Sequence, residues 1–426
     1  MKHQHKWFCL LAWSILLFLF SCDSKENGHK TVICIPVYGQ SLALGEEAVR
    51  VTDFDELIKS SSGRIVTQNL DHRFGYFDNN DAKEWLKKII RYQKRTFELS
   101  AYGMAEMLAK ELGEDTLICI FPDGQGESYL AKLNKPTLPY QKLLEDIEVA
   151  YRKAKEKGWQ FYVPAICWMQ GESDIADYPD TDYYQLLKQF ESDINADIKQ
   201  LTHQQQDVRI ICYQTNAVTR GVHFEAHRFE GCKEIEVPQA MVDLIRDDTL
   251  FWASGPTYPY AFPREAIHID GIGQKRLGYH EALSALSIIR GGERFRGLIP
   301  LSSTIEGNDV IILFNVPTPP LVLDTVLVNK IENYGFNVIT PDNDDIAIKV
   351  QIEGEQVRVS CNRAVTADMR VRYAVNGVMG KSGYRNGPRG NLRDSQGDIH
   401  TANIKGHRYP LHNWCYQFDM ACQSEP

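Results

Sequence analysis

The sequence predicts an α/β fold, a parallel sheet with helices on both faces, followed by a small all-β, sandwich-like C-terminal domain. Two observations carry this. Up to about residue 290, short apolar runs of strand length alternate with amphipathic helical stripes, the rhythm of βαβ units. Beyond Gly291-Gly292 the pattern changes to short alternating runs punctuated by Pro and Gly, with no strong helix. The chain has 426 residues, 43% of them hydrophobic and 24% charged, which suits two or three domains of ordinary globular composition. It divides into residues 1–22 (a leader), 23–30 (a tether), 31–292 (the α/β domain) and 293–426 (the β-domain).

The first buried strand is the run Val32 to Val37, which leads into the turn Gly39-Gln40-Ser41. The following Leu42-Ala-Leu-Gly-Glu-Glu47 reads as the start of a helix or as a loop. A polar stretch from about Val51 to Asn80 reads as a surface insertion, with His72 a solvated loop residue. Ala101, Met104, Ala105, Leu108 and Leu112 then share one helical face. Thr116 to Phe121 is a second strand. Leu143, Leu144, Ile147, Tyr151 and Ala154 form the next helical stripe, which Gly158 is placed to end. A third strand runs from Tyr162 to Met169, a charged amphipathic helix from about Asp182 to His203, and a fourth strand from Val208 to Tyr213. Leu250 to Ala253 is a fifth. In the β-domain, residues 310–314, 347–352, 356–360 and 369–373 read as strands, and the arginine-bearing segment Gly387 to Asp394 as a solvated loop.

The leader is excluded from the fold. Lys2 and Lys6 precede an uncharged apolar run from Trp7 to Phe20, which reads as a secretory h-region and is short for a membrane span. It ends in Leu19-Phe20-Ser21-Cys22, which resembles the lipobox of bacterial lipoproteins. The resemblance implies lipidation at Cys22 and an exported, membrane-anchored protein at the periplasm or cell surface, its only contact with the membrane being that anchor. Of the ten cysteines, Cys34, Cys119, Cys167 and Cys212 lie in apolar strand-like runs, where cysteine acts as a small hydrophobe. Cys415 and Cys422 lie near the C-terminus, where an exported chain could pair them, and the connectivity is left open by the sequence. Neither a CxxC nor a Cys/His cluster has zinc spacing, so no metal site is expected. The formal net charge of −9 argues against a nucleic-acid partner.

Four stretches bear chemistry. Ser41 lies just past the carboxyl end of a buried strand, where open α/β sheets bind their ligands. Taken alone, it would be a helix-capping serine. After the second strand, Pro122-Asp-Gly-Gln-Gly-Glu-Ser128 has glycines that let backbone N–H groups approach a ligand, as an oxyanion hole requires. After the third strand, Trp168-Met-Gln-Gly-Glu-Ser-Asp174 places Gln170 so that its amide could act as a further donor. Glu265-Ala-Ile-His268, on the loop opening the last helix, pairs an acid with a histidine whose far nitrogen can face the serine.

In this order, the four stretches resemble the SGNH (GDSL-like) hydrolase superfamily, and most closely its carbohydrate acetylesterase branch with the sialate O-acetylesterase relatives. The resemblance covers roughly Val32 to Gly292, and its most specific element is Trp168 to Asp174. It implies a flavodoxin-like three-layer domain and a serine esterase that removes O-acetyl groups from a carbohydrate without metal or organic cofactor. Ser41 would be the nucleophile, His268 the general base and Glu265 the acid. The Ser41 N–H, the Gly126 N–H (or that of Gly124) and the Gln170 amide would form the oxyanion hole. Two positions depart from the family pattern: Leu42 stands where many relatives carry Asn, and Glu265 where Asp is usual. Asp270 is the nearest alternative acid. Because all four stretches precede residue 293, the β-domain is expected to be dispensable for the chemistry.

Two other classes are weighed against the esterase. A glycosidase would use paired carboxylates such as Glu172 with Asp174 or Glu265, and would leave Ser41 and Gln170 idle. A surface glycan-binding lipoprotein with weakened catalysis draws support from the departure at Glu265. The esterase ranks first, the binder second and the glycosidase third.

Overall fold

The computed structural model describes residues 30–70, 97–177, 180–216, 233–378 and 380–424. The leader with Cys22, the tether up to residue 29, and His72 lie outside the described residues.

Six strand positions build the parallel sheet. Strand β1 (Thr31–Cys34) continues as β2 (Val37–Gly39) after a break at Pro36, which has no N–H to give to a ladder. Next to it run β4 (Thr116–Cys119) and β5 (Pro122–Gly124), with β3 (Ile65–Val66) outside β4. On the other side run β6 (Gln160–Tyr162) and β7 (Ala165–Met169), then β8 (Arg209–Gln214) and β9 (Phe251–Pro256). Every pairing among these strands is parallel. The first strand therefore sits inside the sheet, and the chain winds outward from it in both directions. That topology creates a crevice at the carboxyl ends of the strands flanking β2.

The helices over 100–111, 138–156, 183–202 and 271–289 match the sequence reading, whereas those over 54–60, 172–177 and 233–247 are not foreseen by it. In chain order the helices are α1 (Phe54–Ser60), α2 (Ser100–Glu111), α3 (Leu138–Glu156), α4 (Glu172–Asp177), α5 (Tyr183–Thr202), α6 (Lys233–Asp247) and α7 (Gly271–Ile289). Ala101, Met104, Ala105 and Leu108 are buried on α2 as the periodicity requires, and Asp182 caps α5 by accepting from the Gln185 N–H. The polar insertion differs from expectation, since it contains α1, capped by Asp53, and β3. None of the described helices is long and apolar enough to cross a membrane.

From Ile299 the chain is antiparallel β-structure. One sheet has the order β10 (Ile299–Glu306), β11 (Asp309–Asn315), β14 (Gln356–Cys361), β13 (Ala347–Glu353). A second joins β12 (Phe336–Ile339), β15 (Arg370–Tyr373) and β16 (Phe418–Ala421). Val310, Ile312, Val357 and Val359 of the first pack with Phe336, Val338, Val371, Tyr373 and Phe418 of the second in one core. This is the expected sandwich-like module.

The expectation of a solvated arginine loop is corrected here, and the cysteine pairing that the sequence leaves open is not made. Cys415 and Cys422 are free, buried thiols rather than a disulfide. Arg389 is buried and donates to the carbonyls of Asn329, Lys330 and Gly387, and Arg393 is paired with Asp324; both brace the module from within. The module is also closely tied to the α/β domain. The Gln417 N–H donates to Gln214 Oε1 (2.7 Å), Gln239 Oε1 accepts from the Asp419 N–H (2.7 Å), and Tyr258, on the loop after β9, is buried in the β-module core.

One buried group gives the α/β domain a pH signature. Glu281 on α7 is buried in the core, and burial pushes its carboxyl up to about 8 from an ordinary 4.5. The folded state holds this proton at pH values where the unfolded chain has released it. The group's contribution is complete below 4.5 and is lost as pH rises through about 8. Glu281→Gln is therefore expected to gain in melting temperature relative to wild type progressively between those values, with little difference at acid pH. Thermal melts of both proteins across that range check this.

Candidate active site

Three strand ends converge on one point of tight backbone packing. Gly39 ends β2 with φ +158°, where a Cβ would sit 2.0 Å from the Met169 carbonyl oxygen at the end of β7. Gly124 ends β5 with φ +127°, and its Cβ would meet the Gly39 carbonyl oxygen at 1.8 Å. Neither position tolerates a side chain, so the turns that follow β2, β5 and β7 start in mutual contact. Gly124 thus serves the strand packing.

The serine turn rises from this point. Glu46 N–H returns to the Ser41 carbonyl (2.9 Å), Leu44 N–H to Gln40 (3.3 Å) and Ala48 N–H to Gly45 (3.0 Å), which winds residues 40–48 into a compact coil. Gln40 is held in turn by the third motif, where its Oε1 accepts from the N–H groups of Ser173 (3.2 Å) and Gly171 (3.4 Å). The Gln-Gly-Glu-Ser-Asp stretch therefore anchors the residue immediately before Ser41.

His268 reaches this coil from the loop before α7. Its Nε2 is hydrogen-bonded to Ser41 Oγ at 2.8 Å, across 227 positions of sequence. Its Nδ1 lies 3.1 Å from Oε2 of Glu47, and the other Glu47 oxygen is paired with Arg264 Nη1 at 2.9 Å. The acid beside the imidazole is therefore Glu47, not Glu265. Glu265 faces the opposite way, with Oε1 accepting from Asn386 Nδ2 (2.6 Å) and Oε2 paired with Lys381 Nζ (2.9 Å). Those partners hold its carboxyl below the ordinary range, chiefly through Lys381 and then Asn386. Asp270 is engaged as the cap of α7, accepting from the Gly273 N–H at 2.7 Å.

Gln170 is also placed differently from expectation. It is fully buried, and its amide nitrogen donates to the Ser128 carbonyl (3.1 Å) and to the Asp174 carboxylate. Its Oε1 accepts from the Tyr183 hydroxyl (3.0 Å). Both amide protons are spent inside the protein, so this geometry leaves no donor for an oxyanion. Among the described residues, the N–H groups of Ser41 and Gly126 take no protein acceptor. Glu172 and Asp174 do not flank a cleft as a carboxylate pair. Glu172 is buried and accepts from the Tyr213 hydroxyl, with its carboxyl raised by burial against the lowering effect of that hydrogen bond; Asp174 accepts from the Leu130 N–H (2.9 Å). No group of three or more His, Cys, Asp or Glu among the described residues is placed to hold a metal ion.

A hydroxyl, an imidazole and a carboxylate thus lie in line at the sheet's carboxyl end, the order in which a charge-relay arrangement would place them. Residues 36–250 match the family described as carbohydrate esterase, sialic acid-specific acetylesterase. The chain belongs to that family. It is a carbohydrate O-acetylesterase by this membership, and the match holds Ser41, Glu47 and Gln170 while His268 lies beyond its end. No curated protein matches the sequence. Among solved structures, the chain is similar to XAC1771, a carbohydrate acetylesterase from Xanthomonas citri. The TM-score is 0.56 at 12% identity over 91% of this chain and 81% of that one, a likeness of fold that extends into the β-module. It is also similar to NanS (TM-score 0.42, 15% identity, 62% of this chain, 99% of that one). The carbohydrate acetylesterase Est24 from Sinorhizobium meliloti gives 0.34 at 13% identity, over 60% of this chain and 99% of that one.

The location of Gln170 generates a test. Gln170→Ala would orphan the buried Ser128 carbonyl and strip an amide donor from the Asp174 carboxylate, at about 1–3 kcal/mol for a buried group left unpaired, while the Tyr183 hydroxyl keeps the Gln170 backbone carbonyl as acceptor (3.1 Å). A clear fall in stability to urea is expected. A variant with wild-type stability and a kcat reduced by roughly a hundredfold would instead restore Gln170 as an oxyanion donor.

Proposed function

We propose that this esterase works by a serine mechanism, with Ser41 as nucleophile, His268 as general base and Glu47 as the acid that orients the imidazole. The observation that carries the reading is the Ser41 Oγ–His268 Nε2 hydrogen bond of 2.8 Å, with Glu47 on the far ring nitrogen at 3.1 Å. In this reading His268 Nε2 takes the Ser41 proton as Oγ attacks the acetyl carbonyl carbon. The negative charge that develops on the carbonyl oxygen is met by the N–H groups of Ser41 and Gly126. As the tetrahedral intermediate breaks its bond to the sugar oxygen, His268 gives its proton to that oxygen, which departs as a hydroxyl and leaves acetyl-Ser41. Water, deprotonated by the same nitrogen, releases acetate and regenerates the serine. Glu47 stabilises the imidazolium formed at each step and fixes the tautomer that leaves Nε2 free to accept. The substrate class is an O-acetylated glycan, and the family's sialic acid-specific description favours an acetylated acidic sugar.

The test is acetate release from acetylated glycans and from p-nitrophenyl acetate. Ser41→Ala and His268→Ala are expected to be nearly inactive. Glu47→Gln keeps the size of the side chain but removes its charge. It is expected to lose activity heavily, though by roughly ten- to a hundredfold less than His268→Ala. Near wild-type turnover by Glu47→Gln would reject Glu47 as the acid.

We also propose that the protein is exported and held at a membrane by a lipid on Cys22, on the strength of the basic, apolar, Leu-Phe-Ser-Cys order of the leader. The full-length protein is expected to partition into detergent, and Cys22→Ser either to remain unprocessed or to appear in the aqueous phase. Equal partitioning of the two forms would contradict the anchor.

A further inference from the structure

The loop that delivers His268 is gripped from two sides. Toward the serine turn, Arg264 and His268 both contact Glu47. Toward the β-module, the grip falls on Glu265, a non-glycine residue at φ +49° whose N–H closes a turn on the Phe262 carbonyl (2.8 Å). Three groups from residues 381–386 converge on this one residue. Lys381 Nζ pairs with Oε2 (2.9 Å), Asn386 Nδ2 donates to Oε1 (2.6 Å), and the Ser382 N–H donates to the Glu265 carbonyl (2.9 Å). The Tyr384 N–H adds a longer bond to the Tyr260 carbonyl (3.4 Å). A left-handed residue in a turn persists only where its surroundings hold it, and here the holding groups come from the other module.

We propose that Glu265 is a positioning residue, and that Lys381 and Asn386 of the β-module form a latch that sets His268 against Ser41. The proposal rests on the Ser41–His268–Glu47 reading. The β-module is then a working part of the esterase, although every motif lies in the α/β domain. The physical reasoning is one of leverage. His268 is three residues from Glu265, and a misplacement of about 1 Å at a catalytic group can cost a hundredfold in rate. The Glu265–Lys381 pair is partly solvent-exposed, with side chains 31% and 42% accessible, so it contributes little to global stability. Positioning is the effect left for it to have.

The experiment measures kcat and KM separately on p-nitrophenyl acetate, a substrate too small to engage the glycan site, together with melting temperature. The double variant Lys381→Ala/Asn386→Ala is expected to lose roughly tenfold in kcat, with KM within about twofold and a melting temperature within about 2 °C of wild type. Glu265→Ala is expected to behave likewise. Glu265→Gln keeps an acceptor for Asn386 and is expected to recover most of the lost kcat, which a triad acid would not do. Wild-type kcat in the double variant overturns the latch, as does a loss of activity matched by loss of folded protein. Ser41→Ala in the same assay keeps the two claims apart. If Ser41→Ala is active, the triad reading fails and takes the latch with it. If Ser41→Ala is dead and the double variant is as fast as wild type, the latch alone fails.

Discussion

The backbone contact of Gly39 with Met169 and Gly124 governs the site. Parallel strands at normal spacing leave room for side chains above and below, but here three strand ends meet with a carbonyl oxygen where each glycine Cβ would be. The turns after β2, β5 and β7 therefore start from one point, and each supplies a different part. The first carries Ser41 and Glu47, the second Gly126, and the third holds Gln40 and so the base of the serine coil. A side chain at either glycine would separate these turns before any catalytic residue was touched.

Much of this was legible in the sequence because burial follows apolar periodicity. Parallel strands buried on both faces read as continuous apolar runs, and helices packed on them show one apolar stripe, so the main strands and four of the helices were legible, whereas the helices over 54–60, 172–177 and 233–247 were not. Ser41 and His268 were legible because each sits on a short turn flanked by such elements. Glu47 was not, although its position six residues after the serine was in plain view. The coil that folds it back depends on contacts such as Glu46 N–H to Ser41 O, which leave no periodic trace, and residues 42–47 read equally as helix or loop. Glu265 misled because its spacing to His268 fits a triad, while its partners Lys381 and Asn386 lie more than a hundred residues away. Gln170 misled because a residue at a strand end can point into the crevice or back into the core. The choice was made by the buried acceptors Ser128 O and Asp174 and by the Tyr183 hydroxyl.

The β-module shows the same limitation of local reading at larger scale. Its strands and sandwich-like core were evident from alternation, but its docking was not, since Gln417, Asp419 and the 381–386 segment carry no motif. The docking makes the loop that carries His268 a bridge between two modules, with Glu265 held by Lys381 and Asn386 of the β-module rather than turned toward the imidazole.

The central claim is that Ser41 is the residue acylated in turnover. Its most direct test is covalent capture: treat the protein with a fluorophosphonate, which reacts with serine nucleophiles activated by a base, and locate the adduct by peptide mass spectrometry. The account requires a single adduct on the peptide containing Ser41, abolished in His268→Ala, where the base is missing. An adduct on any other residue, or labelling of Ser41 that persists undiminished without His268, would contradict it.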